Sequence, residues 1–163
     1  SQEYRESIEV LYALSYTLKF MVKGGPQAID YPVMALEGLW WTEDMSKFTP
    51  EDKDSWDWTS MIMQPKWVTQ ELVDQASEQV AEKKNPPALP KARFEAFNEG
   101  RAAQIMYIGP YSDEGPTIAR VHDFIHENGY ELHGKHHEIY LGDPRRAAPE
   151  KLRTVIRQPM KRA

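Results

Sequence analysis

The sequence predicts an α+β domain: a curved antiparallel sheet with helices on one side and a groove on the other. Two observations carry this. Segments with apolar residues at three- and four-residue steps alternate with short segments of period two. The second half also reads strand, helix, strand, strand over Arg101–Ile108, Asp113–Asn128, His133–Leu141 and Leu152–Gln158, and the first half reads similarly. At 163 residues the chain suits one domain over 1–163, with repeat halves near 31–98 and 101–159 after a first helix.

In chain order, Tyr4 to Val22 repeats Ile8, Leu11, Tyr12, Ser15, Leu18 and Val22 on one helical stripe, and Gly24-Gly25-Pro26 stops it. Tyr31 to Trp41 reads as a central strand, apolar on both faces, with Trp40 and Trp41 pointing opposite ways. Thr42 to Ser55 is polar and reads as a surface loop. Trp56 to Pro65 alternates as a second strand. Val68 to Lys84 is a helix with Thr69 as its cap and Leu72, Val73, Ala76 and Val80 as its buried stripe. Lys91 to Phe97 and Arg101 to Ile108 read as a hairpin turning at Asn98-Glu99-Gly100. Gly109-Pro110 then leads to a third helix, capped by Ser112 or Asp113, with Ile118, Val121, Phe124 and Ile125 inward.

The next strand carries the chemistry. In His136-His137-Glu138-Ile139-Tyr140-Leu141 the side chains alternate, so Glu138 and Tyr140 share a face, with Ile139 and Leu141 expected to face helices. A carboxylate beside a phenol is an acceptor next to a donor, the start of a site if that face lines a cleft. Otherwise Glu138 is a solvated charge. Five tryptophans and eight tyrosines exceed what packing a small chain requires, so at least two rings are expected to wall a ligand groove, where they can stack on flat molecules or face a cation.

The totals exclude several classes. The net charge of −5 argues against nucleic acid as the main partner, and the basic residues from Arg145 to Arg157 are interrupted by Glu150. There is no cysteine, so disulfides and thiolate chemistry are excluded, which fits a cytoplasmic setting. No apolar run approaches the roughly 20 residues needed to span a bilayer. His122 and His126 have zinc-ligand spacing without a third ligand in register, so no metal and no cofactor are expected. His136 and His137 read as surface residues, with a proton shuttle as the sharper alternative. Phosphate-loop and serine-nucleophile motifs do not occur.

Taken together, Trp40-Trp41-Thr42-Glu43, Trp56-x-Trp58 with Met61-Ile62-x-Gln64-Pro65, Ile108-Gly109-Pro110-Tyr111-Ser112-Asp113-Glu114 and His137 through Arg146 resemble the GyrI-like small-molecule-binding family. The likeness extends from Tyr16-Thr17-Leu18-Lys19-Phe20 to Thr154-x-x-Arg157-x-Pro159. It implies two strand–helix–strand–strand repeats about a pseudo-twofold axis with a ligand groove between them, and it maps the family's pocket glutamate onto Glu138. Members carry one more strand before the first helix, which this chain lacks, so how its sheet edge is completed is left open.

The stand-alone members most similar to this pattern include hydrolases that open the cyclopropane of duocarmycin- and yatakemycin-type DNA alkylators within an aromatic cage. On that resemblance Glu138, with Tyr107 or Tyr140, would be catalytic, and Trp40, Trp41, Trp67 and Tyr111 would bind a planar aromatic ligand. The alternative is a drug-sequestering binder using the same groove. A third reading is a gyrase-interacting module that docks through the acidic loop from Glu43 to Asp54. A weak homodimer is left open.

Overall fold

The structure, a computed structural model, describes residues 1–163, the side chain of Lys47 excepted. Three helices, α1 (Gln2–Gly24), α2 (Gln70–Lys83) and α3 (Gly115–Glu127), accompany six strands: β1 (Leu36–Trp41), β2 (Asp57–Ile62), β3 (Ala102–Ile108), β4 (Tyr130–Leu132), β5 (His136–Tyr140) and β6 (Arg153–Arg162). The strands form an open sheet in the order β2-β1-β5-β6-β3, with β4 also paired to β6. The α+β class holds. Two compact units divide the chain: Ser1–Leu36 with Ser60–Ala96, and Glu37–Thr59 with Phe97–Ala163.

The first unit is built on α1 and α2. Ser1 caps α1 by accepting the Tyr4 N–H, and Thr69 caps α2 by accepting from Leu72, as its position before the apolar stripe predicts. The buried face of α1 runs through Val10, Leu14, Leu18 and Val22, so the predicted stripe is right at its C-terminal end and rotated at its start. These side chains share a core with Val68, Ala76 and Val80 of the same unit. Tyr31 to Ala35 is irregular rather than strand, because Tyr31 is buried in this core instead of alternating across a sheet.

A second correction concerns Lys91 to Phe97, which forms no strand. Phe94 packs into the first unit's core while Arg93 and Glu95 pair with each other in solvent, so the alternation is one-sided burial without a ladder. The expected hairpin therefore does not form, and β3 pairs with β6 instead.

In the second unit β6 is flanked antiparallel by β3 and β5. The register places Glu138 opposite Ile156, and Ile156 opposite Ile105. Ile156 shares a core with Ile118, Val121 and Ile125 of α3. Burying Ile125 and Ile156 completely contributes about 2–3 kcal/mol each. Phe124, expected inward, is exposed. Of the strand expected over His133 to Leu141 only His136–Tyr140 forms, as β5; β4 precedes it, and Gly134, whose φ of +77° suits glycine, lies in the turn between them. No helix is long and apolar enough to cross a membrane among the described residues.

Candidate functional site

The register decides which face of β5 matters. Glu138 lies in the row of Ile156, so it points to the face that α3 covers, and Glu138 is only 3% exposed. Ile139 and Leu141, expected to face helices, take the other side, where Leu141 is exposed. A carboxylate sealed on the helix side of a sheet requires donors.

It has several. His136 Nε2 lies 2.6 Å from Glu138 Oε2, and the Tyr140 hydroxyl is hydrogen-bonded to the same carboxylate. Tyr140 in turn accepts from Trp40 Nε1–H at 3.0 Å. Gly38 permits that arrangement: a Cβ there would lie 2.7 Å from Trp40 Nε1 and 3.2 Å from the Tyr140 oxygen. Trp40 and Tyr140 thus meet on one face of the sheet.

Beside Glu138 stands a second carboxyl group, Glu114, at the N-cap of α3 and 2% exposed. Lys53 Nζ donates to Glu114 Oε1 at 3.2 Å and to the Tyr111 carbonyl at 2.7 Å. No N–H or hydroxyl of the described residues reaches Glu114 Oε2. The two carboxyl groups are close enough that each bears on the other's protonation, and neither can donate to the other without a proton. Burial, then the Glu138 charge, push the Glu114 pKa up to about 8 against the pull of Lys53. Burial also raises Glu138, while its bond from Glu114, the Lys53 charge and the Tyr140 hydroxyl oppose the rise. Burial thus favours a proton on the pair, and it is Glu114 whose pKa is carried to about 8.

Aromatic rings surround the pair. Tyr111 meets Tyr140 edge-on at 5.8 Å, and its own hydroxyl is held protonated by burial and by Glu138. Phe48 stacks on Trp56 at 4.3 Å, and both contact the His136 ring. The segment from Thr42 to Ser55, expected to be a surface loop, thus walls the acid pair. It delivers Phe48 and Lys53, and Trp56 follows it directly.

The other predicted residues are distributed differently. Tyr107 donates to the Pro110 carbonyl at 2.6 Å, an arrangement that needs Gly109, where a Cβ would sit 2.7 Å from the Tyr107 oxygen. Trp41 lies under the Lys135 ammonium, 3.6 Å from its ring centre, and lines a cavity of about 520 Å³ with Phe48, His122 and Gln158. Trp67 packs on Tyr31 in the core of the first unit. The two adjacent histidines, expected at the surface, are 0% and 1% exposed. Among the described residues no group of three or more His, Cys, Asp or Glu could hold a metal ion.

A buried acid pair inside an aromatic wall on an α+β scaffold is a candidate small-molecule site. The model of the GyrI-like small molecule binding domain matches residues 3–161, and the chain belongs to that family. Among solved structures, it is similar to an uncharacterized conserved protein from Listeria innocua, with 39% identity, a TM-score of 0.89 and coverage of 99% of this chain and 81% of that one. A hydrolase from the same organism matches at 37% identity and a TM-score of 0.82, covering 97% of this chain and 79% of its own. A further hydrolase structure from Listeria innocua matches at 38% and 0.83, covering 97% and 80%. No curated protein matches the chain.

Proposed function

We propose that the protein is a hydrolase of planar, strained electrophiles, and that it opens the cyclopropane ring of duocarmycin- and yatakemycin-type alkylators, protecting the cell that makes it. The observation that carries this reading is the Glu114–Glu138 pair. At neutral pH it offers one carboxylate and one carboxylic acid side by side, a base and an acid held apart by environment. The hydrolase relatives and the family's small-molecule binding support the same class.

In the proposed reaction Trp40, Tyr111 and Tyr140 stack or border the planar alkylating unit. Glu138 accepts a proton from water as its oxygen bonds to the cyclopropane methylene. The strained C–C bond breaks, its electron pair runs through the conjugated ring to the carbonyl oxygen, and that oxygen takes the proton of Glu114. Water has then been added across the broken bond, and the proton on Glu138 returns to Glu114. Tyr140 serves by aiming Glu138, since its hydroxyl already donates to that carboxylate. Tyr107 is committed to the Pro110 carbonyl and is the weaker candidate for polarising substrate.

The test mixes the protein with excess cyclopropane alkylator and follows the ring-opened product by mass. Multiple turnovers are expected, reduced at least about a hundredfold by Glu138→Gln. Activity should also fall as pH rises through about 8, when Glu114 loses its proton. Full turnover by Glu138→Gln would exclude the mechanism. Tryptophan quenching without product would identify a sequestering binder instead, since a buried carboxylate among aromatic rings also suits a cationic aromatic ligand.

A further inference from the structure

The acid pair is buried, yet its proton has to equilibrate with solvent. Two nitrogen atoms outside the pair bear on how. His136 is wholly buried and holds Glu138 through Nε2 at 2.6 Å, leaving Nδ1 on the far side of the ring. That Nδ1 is buried and has no hydrogen-bond partner among the described residues. The same is true of His122 Nε2, on α3. Buried polar atoms in folded proteins are nearly always satisfied, by protein or by an internal water. Two orphaned imidazole nitrogens near one another are the setting in which one water serves both.

Phe48, whose ring centre lies 5.4 Å from that of His136, lines one cavity with His122, and charge on His136 opposes charge on His122. This is the cavity of about 520 Å³ bounded also by Trp41 and Lys135.

We propose that His136 and His122, joined by a water between His136 Nδ1 and His122 Nε2, form a relay that carries protons between the Glu138 carboxylate and that cavity. In the inward step a proton reaches His136 Nδ1 from the water, the water is refilled from His122 Nε2–H as His122 Nδ1 takes a proton from the cavity, and the Nε2–H of His136 passes to Glu138. The outward step is the reverse, and His136 alternates between its two neutral tautomers with no net charge placed on it. Neutrality is enforced by surroundings: burial lowers the His136 pKa to about 4, an ionised Glu114 opposes this, and His137 and Lys53 reinforce it. At His122, burial, His136 and His126 disfavour the cation, and Asp123 favours it. The relay acts through Glu138 and touches no substrate, so it is testable without one and independently of the hydrolase reading.

The experiment labels histidine with ¹⁵N and measures exchange of the His136 ring N–H with water by saturation transfer at neutral pH. His122→Phe, which fills the space with a ring that cannot pass a proton, should slow that exchange at least about tenfold. His122→Gln keeps a polar group of similar reach and cannot be protonated, so it should slow exchange comparably. His126→Phe, one turn along the same helix and exposed, should leave the rate as in the parent. Parent-like exchange in either folded His122 variant would overturn the relay, as would equal slowing by His126→Phe. Lost turnover with a normal exchange pattern would count against the hydrolase reading alone.

Discussion

His136 and His137 are consecutive on one strand, both buried, both bonded to glutamate, and they serve opposite ends. His137 faces away from α3, and both its nitrogens are taken: Nε2 by Glu37 at 2.7 Å and Nδ1 by Glu99 at 2.8 Å, with Arg157 behind Glu99 at 3.6 Å. A neutral imidazole has one N–H, so two carboxylate bonds require the imidazolium. Burial works against that charge, and the bonds to Glu37 and Glu99 outweigh it and hold the pKa above its usual value. His136 sits among aromatic rings with one nitrogen unpaired and is kept neutral. The complete network reads as a clamp, because nothing in it is left to react. The incomplete one keeps unsatisfied atoms at His136 Nδ1 and Glu114 Oε2, the signature of groups that exchange protons or meet a ligand.

The largest expected effect tests the clamp. His137→Leu leaves two partly buried carboxylates without the imidazolium between them and should cost on the order of 3 kcal/mol in denaturant unfolding. A small loss of stability with abolished turnover would reverse the assignment of the two histidines. The next concerns the pH dependence of stability. Glu114 binds its proton more tightly folded than unfolded, so its contribution is complete below its ordinary pKa near 4.5 and is lost as pH rises through about 8. Glu114→Gln should flatten that decline when unfolding is measured across this range. An unchanged slope would place the titration elsewhere, His137 being the first alternative, since its raised pKa also removes stability as pH rises. The smallest effect is Trp40→Phe, which deletes the indole donor to Tyr140 and should cost about 1 kcal/mol. A much larger loss would mean that the wall, rather than the clamp, holds this region together.

Much of the architecture was legible because burial imposes period: Ala76 and Val80 on α2, Ile118 and Ile125 on α3, and the strand around Glu138 all announce themselves. Lys91 to Phe97 misled because alternation reports one-sided burial and not a hydrogen-bonded neighbour. Of the site, the side-by-side placement of Glu138 and Tyr140 follows from strand geometry alone. Which face they take does not, because it depends on pairing with Ile156, a contact distant in sequence. Glu114 lay within the motif that carried the family resemblance, at a helix start where a glutamate is ordinary. Lys53 and Phe48 lay in a polar segment with no periodicity to distinguish wall from surface. The histidines were underestimated because a two-residue run at a strand edge gives no sign of what lies above and below it.

Gly38 links three positions that are far apart in sequence. The orientation of the Trp40 indole over the strand, and so its grip on Tyr140, depends on a methyl group that is missing. Residues 38, 40 and 140 consequently behave as one unit of variation: an alanine at 38 is compatible with this wall only alongside a smaller ring at 40 or a shifted phenol at 140. In a set of relatives these three columns should change together, and the width available to a flat ligand should change with them.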